Sequence, residues 1–533
     1  MIKPTFIGLT MTGLLSLASM HGQSPLTISE IMYNPAEPSE AEGKDGFDDA
    51  DEFEFIELMN VSDQVVNLDT LAFTKGIDYT FSSEFILKPD ERCVLVRNRG
   101  GFQKRYGNVA RVAGNYDGSL KNGGEKVTLS DADKEVLATV SYKDDHPWPQ
   151  GADGAGFSIV QKAPKANNAL NLAKSWQASN AIGGSPGKGD QISEGGIVIN
   201  EILAHTDLPN VDAIELYNPT DKDIDVGGWF LTDDFDEPKK YPIVSGSKVP
   251  AGGYLVVKGD NDDLPDNNTD LPADRYARAF SLSSHGEEVH LFAANAKGTL
   301  TGYSHGFSFK ATQNGVSVGR HVNSANKEQF PMQRSMTLGQ ANAGPAVPEV
   351  VISEIHYHPF AENDEEEEFV EIWNRGKRSI PLYDPKMPAN TWQLSGAKLF
   401  NFPSNQTLKT NEVALVTRTD PATFRRRNKI PESVKIFGPL DGALSNKGER
   451  LTLLRPDTPD VTSEETVVPM LRVDSVHYND KDPWPEDADG IGASLERLPE
   501  ADYSDDPKSW KSSSKDKGTP GAAPKSSTAS PAH

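Results

Sequence analysis

Two short stretches of this sequence crowd carboxylate side chains together just before an apolar run. Their members are Asp48, Asp49, Asp51 and Glu52 in the first stretch, and Asp364, Glu365, Glu366 and Glu367 in the second. Calcium takes about six to eight oxygen ligands in flexible geometry, and crowded carboxylates repel one another unless a cation or water relieves them. These eight residues are therefore candidate calcium ligands. Neither stretch has EF-hand spacing, so solvated acidic loops are the alternative. A similar run of aspartates lies between residues 260 and 274.

Glutamates that recur at equivalent places suggest a second kind of chemistry. They are Glu30, Glu201 and Glu354 in one set, and Glu57, Glu215 and Glu371 in the other. A glycosidase needs two carboxyl groups about 5–10 Å apart in a cleft the size of a sugar. Because the same glutamates appear three times, a cross-strand bond to the backbone or to Lys or Arg explains them better than catalysis. The sequence therefore assigns no catalytic residue.

Two smaller clusters have weaker signals. His356 and His358 are one residue apart, so they share a strand face and could bind a metal, but no Cys or third His accompanies them. A surface or edge pair of histidines is the favoured interpretation. Residues 425–427 are three consecutive arginines after Phe424, in a pattern typical of one helical turn with its aromatic packed inward. A nucleic-acid contact there is the alternative.

These candidates lie on strands that are written three times along the chain. A first strand contains Ser-Glu-Ile or Asn-Glu-Ile at 29–31, 200–202 and 353–355. A second strand follows as FIELMN at 55–60, AIELYN at 213–218 and FVEIWN at 369–374. Its apolar residues alternate, so Ile56 and Leu58 share one face and Glu57 takes the other. Each copy ends at an Asn, which tolerates turn geometry and predicts a switch from strand to turn.

Later elements of the repeat are equally regular. A Leu-x3-Gly-Glu hairpin recurs at 120–125, 282–287 and 444–449, and a last strand carries a serine at 158, 317 and 494. Many short strands separated by turn residues are typical of an all-β sandwich. In the first and third copies prolines flank Trp148 and Trp484, which excludes a central strand there and predicts that the indoles plug one end of the sandwich.

Composition limits the classes of partner. The 533 residues carry a formal charge of −25, which repels nucleic acid and anionic lipid, so we expect no nucleic-acid partner. The single cysteine, Cys93, excludes an intrachain disulfide. It aligns with Leu255 and Ala414 in the other copies, which predicts a buried core residue rather than a reactive thiol.

The amino terminus predicts export. Lys3 precedes a short apolar run and then polar residues, a pattern typical of a signal peptide over residues 1–23. No later stretch could span a membrane, so we expect an exported protein with no integral membrane segment, at an extracellular, cell-surface or periplasmic location. The repeats predict domains over 24–190, 196–345 and 349–522, with Gly/Pro spacers over 183–196 and 339–349 that allow some hinge motion. A disordered tail is predicted over 523–533.

Taken together, these motifs resemble the lamin tail domain family. The x-Glu-Ile strand, the Glu-containing strand ending in Asn, the Gly227-Gly228-Trp229-Phe230-Leu231 strand and the Leu-x3-Gly-Glu hairpin all carry the resemblance. It implies an immunoglobulin-like sandwich in each copy, and hence three tandem sandwiches, as in exported bacterial proteins with several such domains. It supplies no catalytic residues.

We therefore expect a non-enzymatic binding or scaffold protein that engages a surface polymer or a protein partner, with no required cofactor. Two alternatives remain open at this point. One is a surface adhesin stabilised by calcium, and the other is an accessory protein that presents a secreted hydrolase.

Overall fold

The computed structural model describes residues 24–524, apart from 83–84, 146, 167–168, 191–195, 208–209, 260–279, 361–363, 397, 462–465 and 515–516. The predicted signal peptide, the end of the predicted tail and the aspartate run between 260 and 274 lie outside these residues. The chain divides into two compact units, Met1–Ile192 and Ser193–His533. No helix within the described ranges is long and apolar enough to cross a membrane.

The first unit contains one repeat built from two facing sheets. Its strands are β1 Leu26–Met32, β2 Phe55–Asn60, β3 Val66–Asn67, β4 Ala72–Lys75, β5 Tyr79–Thr80, β6 Ile86–Leu87, β7 Arg92–Val96, β8 Val112–Asn115, β9 Lys126–Ser130, β10 Val136–Ser141, β11 Ile159–Gln161 and β12 Trp176–Ala178. One sheet has the order β12-β11-β1-β2-β7-β8, the other has the order β10-β9-β4-β5, and β3 pairs with β6. The β7–β8 pair is parallel.

The second unit begins with the second repeat. Its strands are β13 Val198–Leu203, β14 Ala213–Tyr217, β15 Ile224–Asp225, β16 Phe230–Thr232, β17 Tyr241–Pro242, β18 Lys248–Val249, β19 Tyr254–Lys258, β20 Glu288–Ala294, β21 Leu300–Ser308, β22 Val318–Gly319, β23 His321–Val322 and β24 Glu328–Gln329. The sheets have the orders β19-β14-β13-β22 and β17-β16-β20-β21, with ribbons β15-β18 and β23-β24.

The third repeat completes the second unit. Its strands are β25 Val350–His356, β26 Phe369–Asn374, β27 Ile380–Pro381, β28 Tyr383–Asp384, β29 Met387–Thr391, β30 Gln393–Ser395, β31 Leu399–Asn401, β32 Thr407–Leu408, β33 Val413–Thr417, β34 Lys435–Phe437, β35 Arg450–Pro456, β36 Asp460–Val461, β37 Thr466–Val467, β38 Met470–His477, β39 Leu495–Arg497 and β40 Trp510–Ser512. Its main sheets are β34-β33-β26-β25-β39-β40 and β31-β30-β35-β38. Every described strand pair joins strands of the same repeat. The described elements are almost all strands, so the all-β prediction is confirmed.

Helices are few and short. They are α1 Glu40–Lys44, α2 Arg99–Tyr106 and α3 Pro421–Asn428, with 3-10 turns at Ala50–Phe53, Gln150–Ala152, Ala173–Ser175, Asp364–Glu367, Glu486–Ala488 and Pro507–Ser509. Asn98 and Asp420 accept backbone hydrogen bonds at the starts of α2 and α3. Capping of this kind satisfies N–H groups that have no partner within the helix.

The core forms where the alternating residues of the two sheets meet. Ile56 and Leu58 point into the sandwich, as the alternation predicts. The outer face of the same strand is also covered, because Phe55 packs against Phe102 and Tyr106 of α2. The aromatic of the equivalent α3 turn, Phe424, packs against Phe369 in the same way. All six residues of β2 and of β26 are therefore buried.

Each first strand contains an irregularity beside its glutamate. The register shifts between Ile28 and Glu30 in β1, and equivalent shifts occur in β13 and β25. A bulge places an extra residue on one strand and turns side chains that would otherwise alternate. Glu30 is thereby placed opposite Glu57 on the neighbouring strand.

The asparagine at the end of each second strand fixes the turn that follows. The Nδ2 atom of Asn60 donates to the carbonyls of Gln64 and Leu87 at 2.7 and 2.9 Å, and its Oδ1 accepts from Ser62. Asn218 and Asn374 make the equivalent bonds. The predicted switch from strand to turn is confirmed.

Tryptophan and cysteine also occupy the predicted core positions. Trp148 lies against Trp176 with ring centroids 6.2 Å apart, and Trp484 lies against Trp510 at 6.4 Å. Cys93 is fully buried in the first core, and burial raises the pKa of its thiol to about 12.

The predicted spacers differ from what the sequence suggested. In the first spacer Ser185 and Gly187 are bonded to buried glutamates, and in the second Gly339 is bonded in the same way. Ala346 donates to the carbonyl of Met332 at 2.8 Å. These parts are built into the repeats and are not free linkers.

The second and third repeats also contact each other within their shared unit. Asn323 Nδ2 donates to the Asp505 carbonyl at 3.0 Å, and the His321 and Tyr503 rings lie 5.0 Å apart. The second and third repeats are therefore not fully separate bodies. The residues that join them lie outside the repeated motifs, so the sequence patterns did not indicate these contacts. The three predicted domain boundaries stay a prediction.

Candidate functional site

The recurring glutamates meet in pairs on the outer face of each first sheet. In the first repeat Glu30 and Glu57 are direct neighbours across β1 and β2. Glu30 accepts from Ser158 Oγ at 2.5 Å and from the backbone N–H of Ser185 at 2.7 Å. Glu57 accepts from Ser29 Oγ and from the backbone N–H of Gly187, both at 2.6 Å. We call Glu30–Glu57, Glu201–Glu215 and Glu354–Glu371 the glutamate pairs.

The segment that covers each pair comes from the end of the same repeat. These closing segments are residues 184–187, 336–339 and 518–521. In the second repeat the Thr337 N–H donates to Glu201 at 2.9 Å and Gly339 donates to Glu215. In the third repeat Thr519 donates to Glu354 at 2.6 Å and Gly521 donates to Glu371 at 2.8 Å. All three closing segments therefore use a Ser or Thr hydroxyl and two backbone N–H groups.

Serines that directly precede β11, β22 and β39 complete the arrangement. Ser317 Oγ donates to Glu201 at 2.5 Å, and Ser494 Oγ donates to Glu354. The sequence showed that this serine recurs but not that its partner is the glutamate of β1, β13 or β25. Gly-Ser-Pro-Gly and Gly-Thr-Pro-Gly stretches form the closing segments at 184–187 and 518–521. Their recurrence together with the glutamates was the available signal.

Burial raises the pKa of carboxyl groups in the glutamate pairs. Glu30 and Glu57 are 0 % and 1 % exposed. Burial, and then the neighbouring Glu57, raise the pKa of Glu30 to about 8, against hydrogen bonds from Ser158 and Ser185 that lower it. Burial likewise raises the pKa values of Glu57, Glu215 and Glu354 to about 7. Burial and the charge of Glu354 raise the pKa of Glu371. A raised carboxyl pKa is common at active sites, but burial and the neighbouring carboxylate account for it here.

The glutamate pairs of the first and third repeats have no space for a substrate. Gly184 and Gly518 both have positive φ, and a Cβ on either would collide with a glutamate oxygen and with the serine hydroxyl beside it. Glycine lets the segment close tightly over the pair in these two repeats, whereas Met336 stands at the equivalent position of the second repeat. The glutamates therefore hold the end of the repeat against the sheet. The cross-strand structural role predicted for them is supported, although their main partners are backbone N–H groups and hydroxyls.

A second set of recurring carboxylates positions the Leu-x3-Gly-Glu hairpin. Glu54, Asp212 and Glu368 each precede the second strand and accept from the backbone N–H of Leu120, Leu282 and Leu444 at 3.1, 2.7 and 2.9 Å. Within the hairpin the Glu125 carboxylate accepts from Lys121 N at 3.0 Å, and Glu287 and Glu449 repeat that bond. The sequence patterns did not reveal this role.

The predicted calcium ligands mostly have partners within the protein. Glu52 accepts from Asn98 at 2.9 Å, and Asp49 accepts from the Asp51 N–H at 3.0 Å. Glu366 pairs with Arg427 at 2.6 Å, and Glu367 accepts from Asn428 at 3.1 Å. Glu365 lies 3.8 Å from Arg418, while Asp48 is exposed. Nothing is described of the Asp364 side chain. Within the described ranges no three His, Cys, Asp or Glu side chains are placed to hold a metal ion. The calcium site stays a prediction without a geometry to carry it.

The two histidines and two of the three arginines make structural contacts within the protein. His356 is buried, lies against Phe369 and contacts the Gly492 carbonyl at 3.3 Å, whereas His358 bonds Asp489 at 2.6 Å. Burial lowers the pKa of His356 to about 4. The prediction of a surface pair is wrong for His356, because the outer face of β25 is covered. Arg425 donates to the carbonyl of Val434, and Arg427 pairs with Glu366, so both are tied to the protein's own chain.

Comparison with known proteins adds one positive finding. The family model described as Lamin Tail Domain matches residues 19–144 and 190–306. No curated protein and no solved structure matches the chain.

Proposed function

Two regions of this chain, residues 19–144 and 190–306, belong to the lamin tail domain family, and on that premise we propose that the protein is a non-enzymatic binding or scaffold protein. Its sandwiches present surfaces to an extracellular polymer or a protein partner. The observation that carries this proposal is that the recurring carboxylates are bonded to their own chain beneath the closing segments.

Variation between the repeats supports a structural use of these carboxylates. Ser29 and Ser353 donate to the glutamate of the second strand, whereas Asn200 donates to Glu215 at 2.7 Å in the second repeat. The donor changes while the bond is kept. A reaction would instead require an open pocket beside the carboxylates, with room for substrate and water.

Export completes the proposal. The apolar stretch after Lys3 and the acidic composition favour an exported protein at an envelope or extracellular location. Several sandwiches on one chain can engage a repetitive polymer at more than one place, which raises the effective concentration of each weak site.

Purified protein is therefore expected to show no turnover of glycan, ester, peptide or nucleotide substrates. Glu57→Gln and Glu371→Gln should lower stability and leave this null result unchanged, while the exposed Glu135→Gln should change neither. Substrate panels read by product chromatography, together with thermal melting of each variant, provide the check. Hydrolysis by the wild type that disappears in a folded Glu57→Gln protein would refute the proposal.

A further inference from the structure

A cavity of about 630 Å³ lies between the second and third repeats, inside the second compact unit. It opens between the end of β21, the β24 strand and the start of β38. Ligand sites for small molecules usually have volumes of about 300–1,000 Å³, so this space suits one or two sugar rings rather than a flat protein surface.

The charges that line the cavity differ from those of the protein as a whole. Lys310, Arg450 and Arg472 are cations, and Glu328 and Asp505 are anions, on a chain with a formal charge of −25. Three cations against two carboxylates leave one net positive charge. A monoanionic carboxylate matches this balance better than a phosphate, which carries close to two negative charges.

Both lining carboxylates are already engaged by the protein. Asp505 pairs with Arg450 at 2.7 Å and accepts from the His477 N–H, and Glu328 pairs with Arg320. Arg472 donates to the neutral carbonyl of Phe330 at 2.8 Å. Within the described ranges neither Arg472 nor Lys310 forms an ion pair with a carboxylate, so these two cations are the ones placed to meet an anion.

The rest of the lining fits a polyhydroxylated ligand. Gln329 lines the cavity, and its buried Oε1 atom has no hydrogen-bond partner among the described residues. A hydroxyl of a ligand in the cavity can supply the hydrogen bond that this oxygen lacks. Phe330, Met470 and Val468 supply an apolar wall on which the C–H face of a sugar can pack.

We propose that this cavity binds a hexuronate, the carboxylate-bearing sugar unit of an acidic glycan. The carboxylate lies between Lys310 and Arg472, and a ring hydroxyl donates to Gln329. The inference rests on the proposed binding function and names the class of polymer that it engages. Free sugar acid and the end of a polymer share this chemistry.

The experiment is calorimetric titration of the full chain with glucuronate and with neutral glucose, which differ only in the carboxylate. Glucuronate should bind and glucose should bind at least about tenfold more weakly, since a charge-assisted hydrogen bond contributes about 1.5–3 kcal/mol. A uronate tetramer that binds tighter than the monomer assigns the cavity to a polymer. Equal affinity for the tetramer and the monomer assigns the cavity to a terminal or free sugar unit. Both results support the proposal.

Two lysine variants test whether glucuronate binds in this cavity. Lys310→Gln changes an exposed side chain, so the fold should survive while affinity falls about tenfold. Lys297→Gln removes the same charge from a turn that does not line the cavity and should leave affinity unchanged. Equal binding of glucose, no glucuronate binding at about 10 mM, or equal loss in both variants would overturn the proposal. Failure here with no turnover detected leaves the proposed function standing, whereas turnover would remove the proposed function itself.

Discussion

Asp474→Ala is expected to destabilise the second unit by about 3–5 kcal/mol, because it leaves a buried guanidinium without its counter-charge. Arg497 is fully buried, and its Nη1 atom lies 3.4 Å from Asp474 Oδ2. Asp474 also accepts from Ser504 Oγ at 2.5 Å and from the Ile352 N–H at 2.8 Å. One substitution therefore removes three partners from groups that water cannot reach.

Urea denaturation of the full chain, followed by the fluorescence of the buried tryptophans, measures this loss. The exposed Asp487→Ala should change stability by no more than about 0.5 kcal/mol. The double variant Asp474→Leu with Arg497→Met should recover much of the loss, because an apolar pair of similar size has no buried charge to compensate. An Asp474→Ala protein as stable as Asp487→Ala would contradict the account.

The equivalent positions in the other repeats show why such a large effect is specific to the third. Register with the neighbouring strand places Gln161 in the first repeat where Arg497 lies in the third, and Arg320 in the second. Gln161 accepts a hydrogen bond from Thr27, and Arg320 pairs with Glu328. The sandwich needs a satisfied polar group at this place but not a particular ion pair.

Stability is expected to fall as pH rises from about 6.5 to 8.5, because buried carboxyl groups must then ionise. Burial raises the pKa of Glu30 and Glu54 to about 8, and that of Glu57, Glu215 and Glu354 to about 7, from an ordinary value of 4.5. The folded state therefore holds these protons more tightly than the unfolded chain. Their contribution is complete below the unfolded pKa and is lost as pH rises through the folded pKa.

The range from about pH 6.5 to 8.5 excludes the titration of the buried histidines, whose effect on stability has the opposite sign. Burial lowers the pKa of His290 and His321, and lowers that of His356 to about 4, so their contribution is lost only as pH falls below about 6.5. Urea midpoints at constant ionic strength should drop by an amount equivalent to a few kcal/mol across the range. Glu30→Gln should flatten the slope for the first unit, whereas the exposed Glu135→Gln should not. A flat or rising profile for the wild type would disagree with these burials.

Much of the sandwich could be predicted from alternation and turn residues. Ile56 and Leu58 face the core, Asn60 ends the strand and Phe424 packs inward from a helical turn, as the sequence indicates. Alternation shows which residues share a face but not what covers that face. The burial of Glu57 depends on Gly187, far along the chain, so local pattern could not reveal it.

The candidate site was harder to predict for the same reason. The acidic loops suggested a cation, but the cations that reach them come from distant elements: Arg427 for Glu366 and Arg418 for Glu365. Counting charges along the chain cannot detect partners that only the fold brings close. The cavity between the second and third repeats is likewise formed by residues that, apart from His285, lie outside the repeated motifs.

The central claim is that the glutamate pairs hold the closing segments in place. Hydrogen–deuterium exchange of the full chain tests it most directly, by comparing peptides that cover residues 183–189 in wild type, Glu57→Ala and Glu135→Ala. Glu57→Ala should speed exchange in this segment by about tenfold or more, since leaving a buried N–H without its acceptor costs about 1–3 kcal/mol. Glu135→Ala should match the wild type. Unchanged protection of residues 183–189 in a folded Glu57→Ala protein would contradict the claim.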